Sequence, residues 1–313
     1  MRRVVVPLDG TPPAEDILPD ARRLAGPDGE LILVHNASIY PYYGVAFFDA
    51  ERRAVTTSRG YLREVADRLR AEGMKVETET LVLYDTVLAV DDEATKSKAD
   101  MIAVATRGRA GLGRLFRGSV AWDVLAHSRV PVLLHHMGKD GVERAEPMQR
   151  RILVPLDGST MAESAVPLAA QLAREWSTGI DLAQVIFTLA TATESELLGA
   201  GWLTGDDLEP SKREAEAYLR EIAGQLTGDV RTHILYGQPV KELVAATRAW
   251  ETTDIVMASH GRTGLSRMIL GSVANSLIHR LSLPIIVIPA LTSERALGGR
   301  AESSETSGDL VSV

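Results

Sequence analysis

Ala258-Ser259-His260-Gly261, then nine residues, then Gly271-Ser272 is the stretch that decides the fold. An apolar run, Asp254-Ile255-Val256-Met257, leads into it and reads as a buried strand. Val273-Ala274-Asn275-Ser276-Leu277-Ile278 follows and reads as a helix with Ser272 near its N-cap. A glycine loop between a strand and a helix start bares backbone N–H groups and aims the positive end of the helix dipole at one place, which is how a phosphate is held. The pattern occurs a second time as Ala105-Thr106-Arg107-Gly108, nine residues, Gly118-Ser119. Chance produces one such glycine pair easily, but not two with the same internal spacing.

Working outward, the rest of the chain repeats with the loops. Val4-Val5-Val6-Pro7-Leu8-Asp9-Gly10 returns 148 residues later as Ile152-Leu153-Val154-Pro155-Leu156-Asp157-Gly158. Val130–Leu134 and Leu283–Val287 repeat in the same order, so the chain is an internal duplication. In the first half strands are expected at Val4–Leu8, Leu31–Val34, Val76–Leu83, Met101–Val104 and Val130–Leu134. Helices are expected from Pro12, capped by Thr11, to about Leu24, then at Arg52–Glu72, Thr86–Ser97 and Val120–Ala126, with Ala37–Phe48 a loop. In the second half Thr160 and Glu163 form a capping box ahead of one helix, Met161–Arg174. Strands follow at Leu182–Ile186, Arg231–Leu235, Ile255–Ala258 and Pro284–Ile288, with helices at Ser211–Leu226, Val240–Trp250 and after Ser272. Alternating strands and helices with nearly all-apolar strands mean a parallel sheet covered on both faces. The expected organisation is a domain at residues 1–137, a linker at 138–150, a second domain at 151–290 and a disordered tail at 291–313.

Composition excludes several function classes. The 313-residue chain carries a formal net charge of -8, against broad electrostatic capture of nucleic acid. It has no cysteine, so disulfides, thiolate zinc sites and a cysteine nucleophile are out. Pro7 and Asp9 interrupt the first apolar run, making it a strand and not a signal peptide. No apolar run approaches the ~20 residues that span a bilayer, so a soluble cytoplasmic protein without membrane partners is expected. His135 and His136 are adjacent on a strand and point to opposite faces, and no metal site is expected.

In a doubly wound sheet ligands bind beyond the C-terminal ends of the strands, where the strand order reverses. Strand one ends in Asp9 or Asp157, and strand four ends in the glycine loop. If those strands are neighbours, a carboxylate able to accept from ribose hydroxyls or an adenine amine shares a crevice with a phosphate cradle. Arg107, Arg109, Arg114 and Arg117 surround the first loop, and His260, Arg262 and Arg267 the second, which suits a polyphosphate. Ser119 and Ser272 are hydroxyl donors or plain helix caps.

The pattern G-2x-G-9x-G-(S/T) with an aspartate ending strand one resembles the universal stress protein family, and the chain resembles a tandem member from Val4 to Ala290. The resemblance implies two tandem five-stranded parallel-sheet α/β sandwiches, Rossmann-like and similar to adenine nucleotide alpha hydrolases. It implies an ATP-binding protein, with or without Mg2+, that senses or regulates in a stress response without strong catalysis. The first ligand set it implies is Pro7, Asp9, Asn36, Val104, Gly108, Gly118, Ser119 and Val120. The second is Pro155, Asp157, Val185, Met257, His260, Gly261, Gly271, Ser272 and Val273. Two departures stand out: Ala105 and Ala258 replace the family's first glycine, and Asn36 replaces an apolar residue beside the adenine. The family also pairs its fifth strands between domains, implying an internal pseudo-dimer, and a further homodimer is expected. The alternatives are a weak ATP hydrolase or other nucleotide-using enzyme of related fold, or an interaction module with a vestigial site. Against the enzyme, there is no G-x-x-x-x-G-K-[ST] loop and no carboxylate cluster for Mg2+ near the loops. A Ser272–His260–Asp157 triad has no G-x-S-x-G context and no counterpart in the first half, where Arg107 stands for His260.

Overall fold

Two aliphatic runs, Val4–Val6 and Ile152–Val154, are wholly withdrawn from solvent, one at the centre of each sheet. The structure, a computed structural model, describes residues 2–37, 45–83, 85–106, 120–136, 150–187, 205–260 and 270–290, with residues 45–48 and 205–207 by backbone alone. It divides into two units, Met1–Val142 and Glu143–Val313.

In the first unit β1 (Arg3–Pro7), β2 (Glu30–Asn36), β3 (Lys75–Leu81), β4 (Met101–Thr106) and β5 (Val132–His136) are all parallel, in the order β3-β2-β1-β4-β5. Its helices are α1 (Pro12–Glu15), α2 (Leu18–Ala25), α3 (Val45–Ala71), α4 (Thr86–Lys96) and α5 (Val120–His127). The second unit repeats the plan. Its strands β6 (Arg151–Leu156), β7 (Gly179–Ile186), β8 (Val230–Tyr236), β9 (Asp254–Ala258) and β10 (Ile285–Ile288) are parallel, in the order β8-β7-β6-β9-β10. Its helices are α6 (Thr160–Glu163), α7 (Val166–Glu175), α8 (Gly205–Gly224), α9 (Pro239–Ala249) and α10 (Ser272–Arg280). β1–β2–β3 build to one side and β4 joins on the other, so the order reverses between β1 and β4; β6 and β9 repeat this. The strands are apolar along their length because both faces are covered. Fully burying a valine, leucine or isoleucine side chain stabilises by about 1.5–3 kcal/mol.

The first helix of each unit is two, not one. Pro19 and Pro167 each sit at the second position of α2 and α7, lack an N–H and crowd the carbonyl four residues back, so the helix breaks into α1–α2 and α6–α7. The cap of α6 is Ser159, whose Oγ accepts from the Ala162 N–H at 3.2 Å, and Thr160 is the first helical residue. At the end of the second unit, Gly271 is the N-cap of α10 and Ser272 the first residue inside it. Helix α3 begins at Val45, within the stretch expected to be a loop. The expected linker, apart from Arg150, and the tail from residue 291 lie outside the described residues.

Candidate functional site

Each site starts where an innermost strand stops. In the first unit Leu8 N–H still donates to Val34 O at 2.8 Å, and the chain then turns at Asp9-Gly10. Gly10 has φ +79°, a left-handed value that a side chain rarely tolerates. Asp9 Oδ1 accepts from the Thr11 N–H at 3.0 Å and from the Thr11 hydroxyl, which fixes the carboxylate across the turn. Thr11 therefore starts α1 without a side-chain cap bond. The second unit builds the same turn: Gly158 has φ +82°, and Asp157 Oδ1 accepts from Ser159 N–H at 3.0 Å and Oγ at 2.6 Å.

The strand that brings the loop lies next door. Val5 pairs with Ile102 and Leu153 with Ile255, both in parallel register. Asp9 and Asp157 follow the ends of β1 and β6, and Thr106 and Ser259 close or follow β4 and β9 beside them. Both carboxylates and both loop entries thus stand at the same C-terminal edge of their sheet, on the two strands flanking the order reversal. Thr106 and Ser259 are buried at 7% and 4% exposure. Thr106 Oγ1 donates to His135 O at 3.1 Å, and Ser259 Oγ lies 3.0 Å from His260 Nδ1. These two hydroxyls were quoted in the sequence motif without a role; their signal was the shared place just before the loop.

The return of the loop is described in the second unit. Gly271 N–H donates to Ser259 O at 2.8 Å, fastening the start of α10 to the end of β9. A Cβ on Gly271 would stand 3.0 Å from that same carbonyl oxygen, so the close approach favours glycine. Ser272 is exposed and Val273 half-buried in the first turn of α10. Burial pushes the His260 imidazole below its ordinary value, favouring the neutral ring.

The other sequence candidates fall around these edges. Pro7 and Pro155 are half-buried one turn before the aspartates, Val104 and Met257 are buried in β4 and β9, and Val120 is exposed at the start of α5. Val185 is half-buried near the end of β7. Gly108, Gly118, Ser119 and Gly261, with Arg107, Arg109, Arg114, Arg117, Arg262 and Arg267, lie outside the described residues.

Asn36 ends β2, but its amide works within the fold. Nδ2 donates to Leu83 O at 2.9 Å and to Thr86 Oγ1 at 2.8 Å, while Oδ1 accepts from the Leu83 N–H at 3.2 Å. The reason is loop length. Four residues separate β3 from α4, against two between β8 and α9, and the longer connection needs its backbone held. Val185, opposite the shorter connection, has no such duty.

Sequence reasoning also missed side chains beside Asp9. His35 Nε2 lies 3.7 Å from where a Gly10 Cβ would be. Its ring meets Tyr61 edge-on at 5.9 Å, and Nδ1 is 2.7 Å from Ser58 Oγ. Burial raises the Tyr61 phenol strongly, and its hydrogen bond to Glu15 and the nearby Asp9 charge add to this. No spacing rule links a strand-two histidine to a helix serine 23 residues away. Among the described residues, no group of three histidines or acids is placed to hold a metal ion. None of the described helices is long and apolar enough to cross a membrane.

Comparison with known proteins returns the same architecture. The family model described as Universal stress protein family matches twice, over residues 1–136 and 148–289. A universal stress protein of Mycobacterium tuberculosis strain H37Rv is 28% identical over 78% of this chain and 79% of its own. The crystal structure of a universal stress protein from Archaeoglobus fulgidus DSM 4304 superposes with a TM-score of 0.66 at 22% identity, covering 91% of this chain and 97% of that one. A putative universal stress protein from Pseudomonas aeruginosa UCBPP-PA14 gives 0.61 at 16% identity, covering 95% and 98%. Both structural likenesses concern the fold.

Proposed function

This chain belongs to the universal stress protein family, and on that premise we propose that it binds ATP at the C-terminal edge of each sheet and acts as a sensor or regulator without strong catalysis. The observation that carries the proposal is that Asp157 and Ser259 follow the ends of the adjacent parallel strands β6 and β9, with Gly271 bonded back to Ser259. The start of α10, held against the end of β9, offers backbone N–H groups that suit a phosphate. Asp157 and Asp9, fixed by their turns, would accept from the ribose hydroxyls or the adenine amine. His260, held toward its neutral form, would offer a hydrogen bond without adding charge. When bound, the nucleotide supplies the negative charge that the loop cations answer. Asn36 leaves the adenine contacts of the first site to other residues, because its amide is engaged with Leu83 and Thr86.

The reading without strong catalysis is supported by the sequence, which lacks a phosphate-reaching P-loop lysine. A cytoplasmic location and a homodimer belong to the same proposal. The test is mass spectrometry of ligand released from freshly purified, denatured protein. The proposal expects an adenine nucleotide in wild type and less of it in Asp157→Ala. Protein that retains no nucleotide and also binds none when ATP is added would overturn it.

A further inference from the structure

The opposite edge of the second sheet, where the strands begin, holds an opening that the nucleotide reading does not use. In the first unit Arg3 pairs across the ladder with Glu30, and Arg3 Nε donates to the Glu30 carboxylate at 2.8 Å. In the second unit Arg151 holds the same place, but its ladder partner is Gly179. A Cβ on Gly179 would come within 2.3 Å of Arg151 Nη1, so a side chain there would displace the guanidinium. A recess of about 650 Å3 opens at this point, lined by Arg150, Arg151, Arg174, Trp176, Thr178 and Asp229, among others. That volume lies within the range of small-molecule sites.

The donors around the recess are unequally engaged. Arg151 is satisfied: it bonds Asp181, Asp229 and the Ile180 carbonyl, and forms a rigid floor. Arg174, at the end of α7, makes no side-chain bond to any described residue. The Arg150 guanidinium makes no hydrogen bond among the described residues either; its nearest acid is Asp254, 3.7 Å away. Arg174, and Arg150 held only by its ion pair with Asp254, therefore border one cavity beside a tryptophan. Their planar donors match the oxygens of a phosphate. Arg150 has Asp254 beside it and Arg151 has Asp181 and Asp229, so Arg174 is the cation of the lining that no described carboxylate meets, and it favours an anion there.

We propose that the second unit carries a separate site at this edge for a small phosphate-bearing molecule, bound by Arg150 and Arg174 over the Arg151 floor. In the first unit Glu30 supplies the anion to Arg3 from within the chain. The site is independent of the nucleotide crevice, which lies at the other ends of the same strands.

The test is two-dimensional NMR of the full chain, following the Trp176 indole N–H while inorganic phosphate is added; Trp176→Phe assigns the signal. The expected result is a saturable shift in wild type, weakened at least fivefold in Arg174→Gln and unaltered in Asp157→Ala. Arg174 is exposed, so its replacement leaves the fold intact. An indole signal that does not move, or one that saturates equally in Arg174→Gln, would overturn the site. Neither result depends on whether ATP binds at the opposite edge.

Discussion

The two units share a plan but treat the middle of the second strand differently. In β2 the residue level with Val5 is Ile32, buried among its neighbours. In β7 the residue level with Leu153 is Asp181, equally buried. Burial pushes the Asp181 carboxyl upward, but bonds from His233 at 2.8 Å and Arg151 at 2.6 Å outweigh this and hold it below the usual range. His233 in turn lies flat against Trp250, with ring centroids 3.9 Å apart. One duplicated fold thus accepts either an apolar side chain or a satisfied ionic network at one site. The difference teaches that sheet order tolerates the exchange only when every polar atom of the network finds a partner.

The largest expected effect comes from breaking that network. Asp181→Ala should destabilise the second unit by about 3–5 kcal/mol, because Arg151 and His233 lose a buried partner. Glu30→Ala, which removes the partly exposed partner of Arg3, should cost about 1 kcal/mol or less. Urea unfolding of the two variants measures the contrast, and equal losses would refute it.

This network also marks where the sequence was illegible. The turns at Asp9 and Asp157, the loop positions and the alternation of strands and helices are local, and a duplicated spacing exposes them. The expected strand began at Leu182 because Asp181 interrupts the apolar run, whereas β7 begins at Gly179. Arg151, Asp181 and His233 are 30 and 52 residues apart and meet only through strand register. The two helix breaks have a local signal in Pro19 and Pro167, which the expectation of single helices passed over. Asn36 looked like a weakened ligand position because the longer β3–α4 connection that it braces shows only when two loops are compared in space.

A middle-sized effect sharpens that last contrast. Asn36→Val should cost about 1–2 kcal/mol through lost hydrogen bonds and an orphaned Leu83 N–H, read as faster hydrogen exchange at Leu83. Unchanged exchange there would mean that the brace is idle. The caps differ more modestly. Ser159→Ala removes a cap bond to Ala162 and should cost about 1 kcal/mol, whereas Thr11→Ala should cost only a few tenths. Thermal unfolding of the pair would show it, and a reversed order would contradict the assigned caps.

The smallest effect is a pH slope confined to the second unit. His260 is depressed below 6.5 in the folded state, so the unfolded chain takes up its proton first. Its contribution to stability is whole above pH 6.5 and is lost as pH falls through the depressed folded value. His260→Gln should flatten this segment of a stability–pH profile. A profile that keeps its slope would assign the slope to other groups.

Equilibrium dialysis with ATP tests the central claim of two matched crevices most directly. The account predicts two nucleotides per chain in wild type, one in Asp9→Ala or Asp157→Ala, and none in the double variant. Binding that survives intact in the double variant, or no binding by wild type at millimolar ATP, would contradict it.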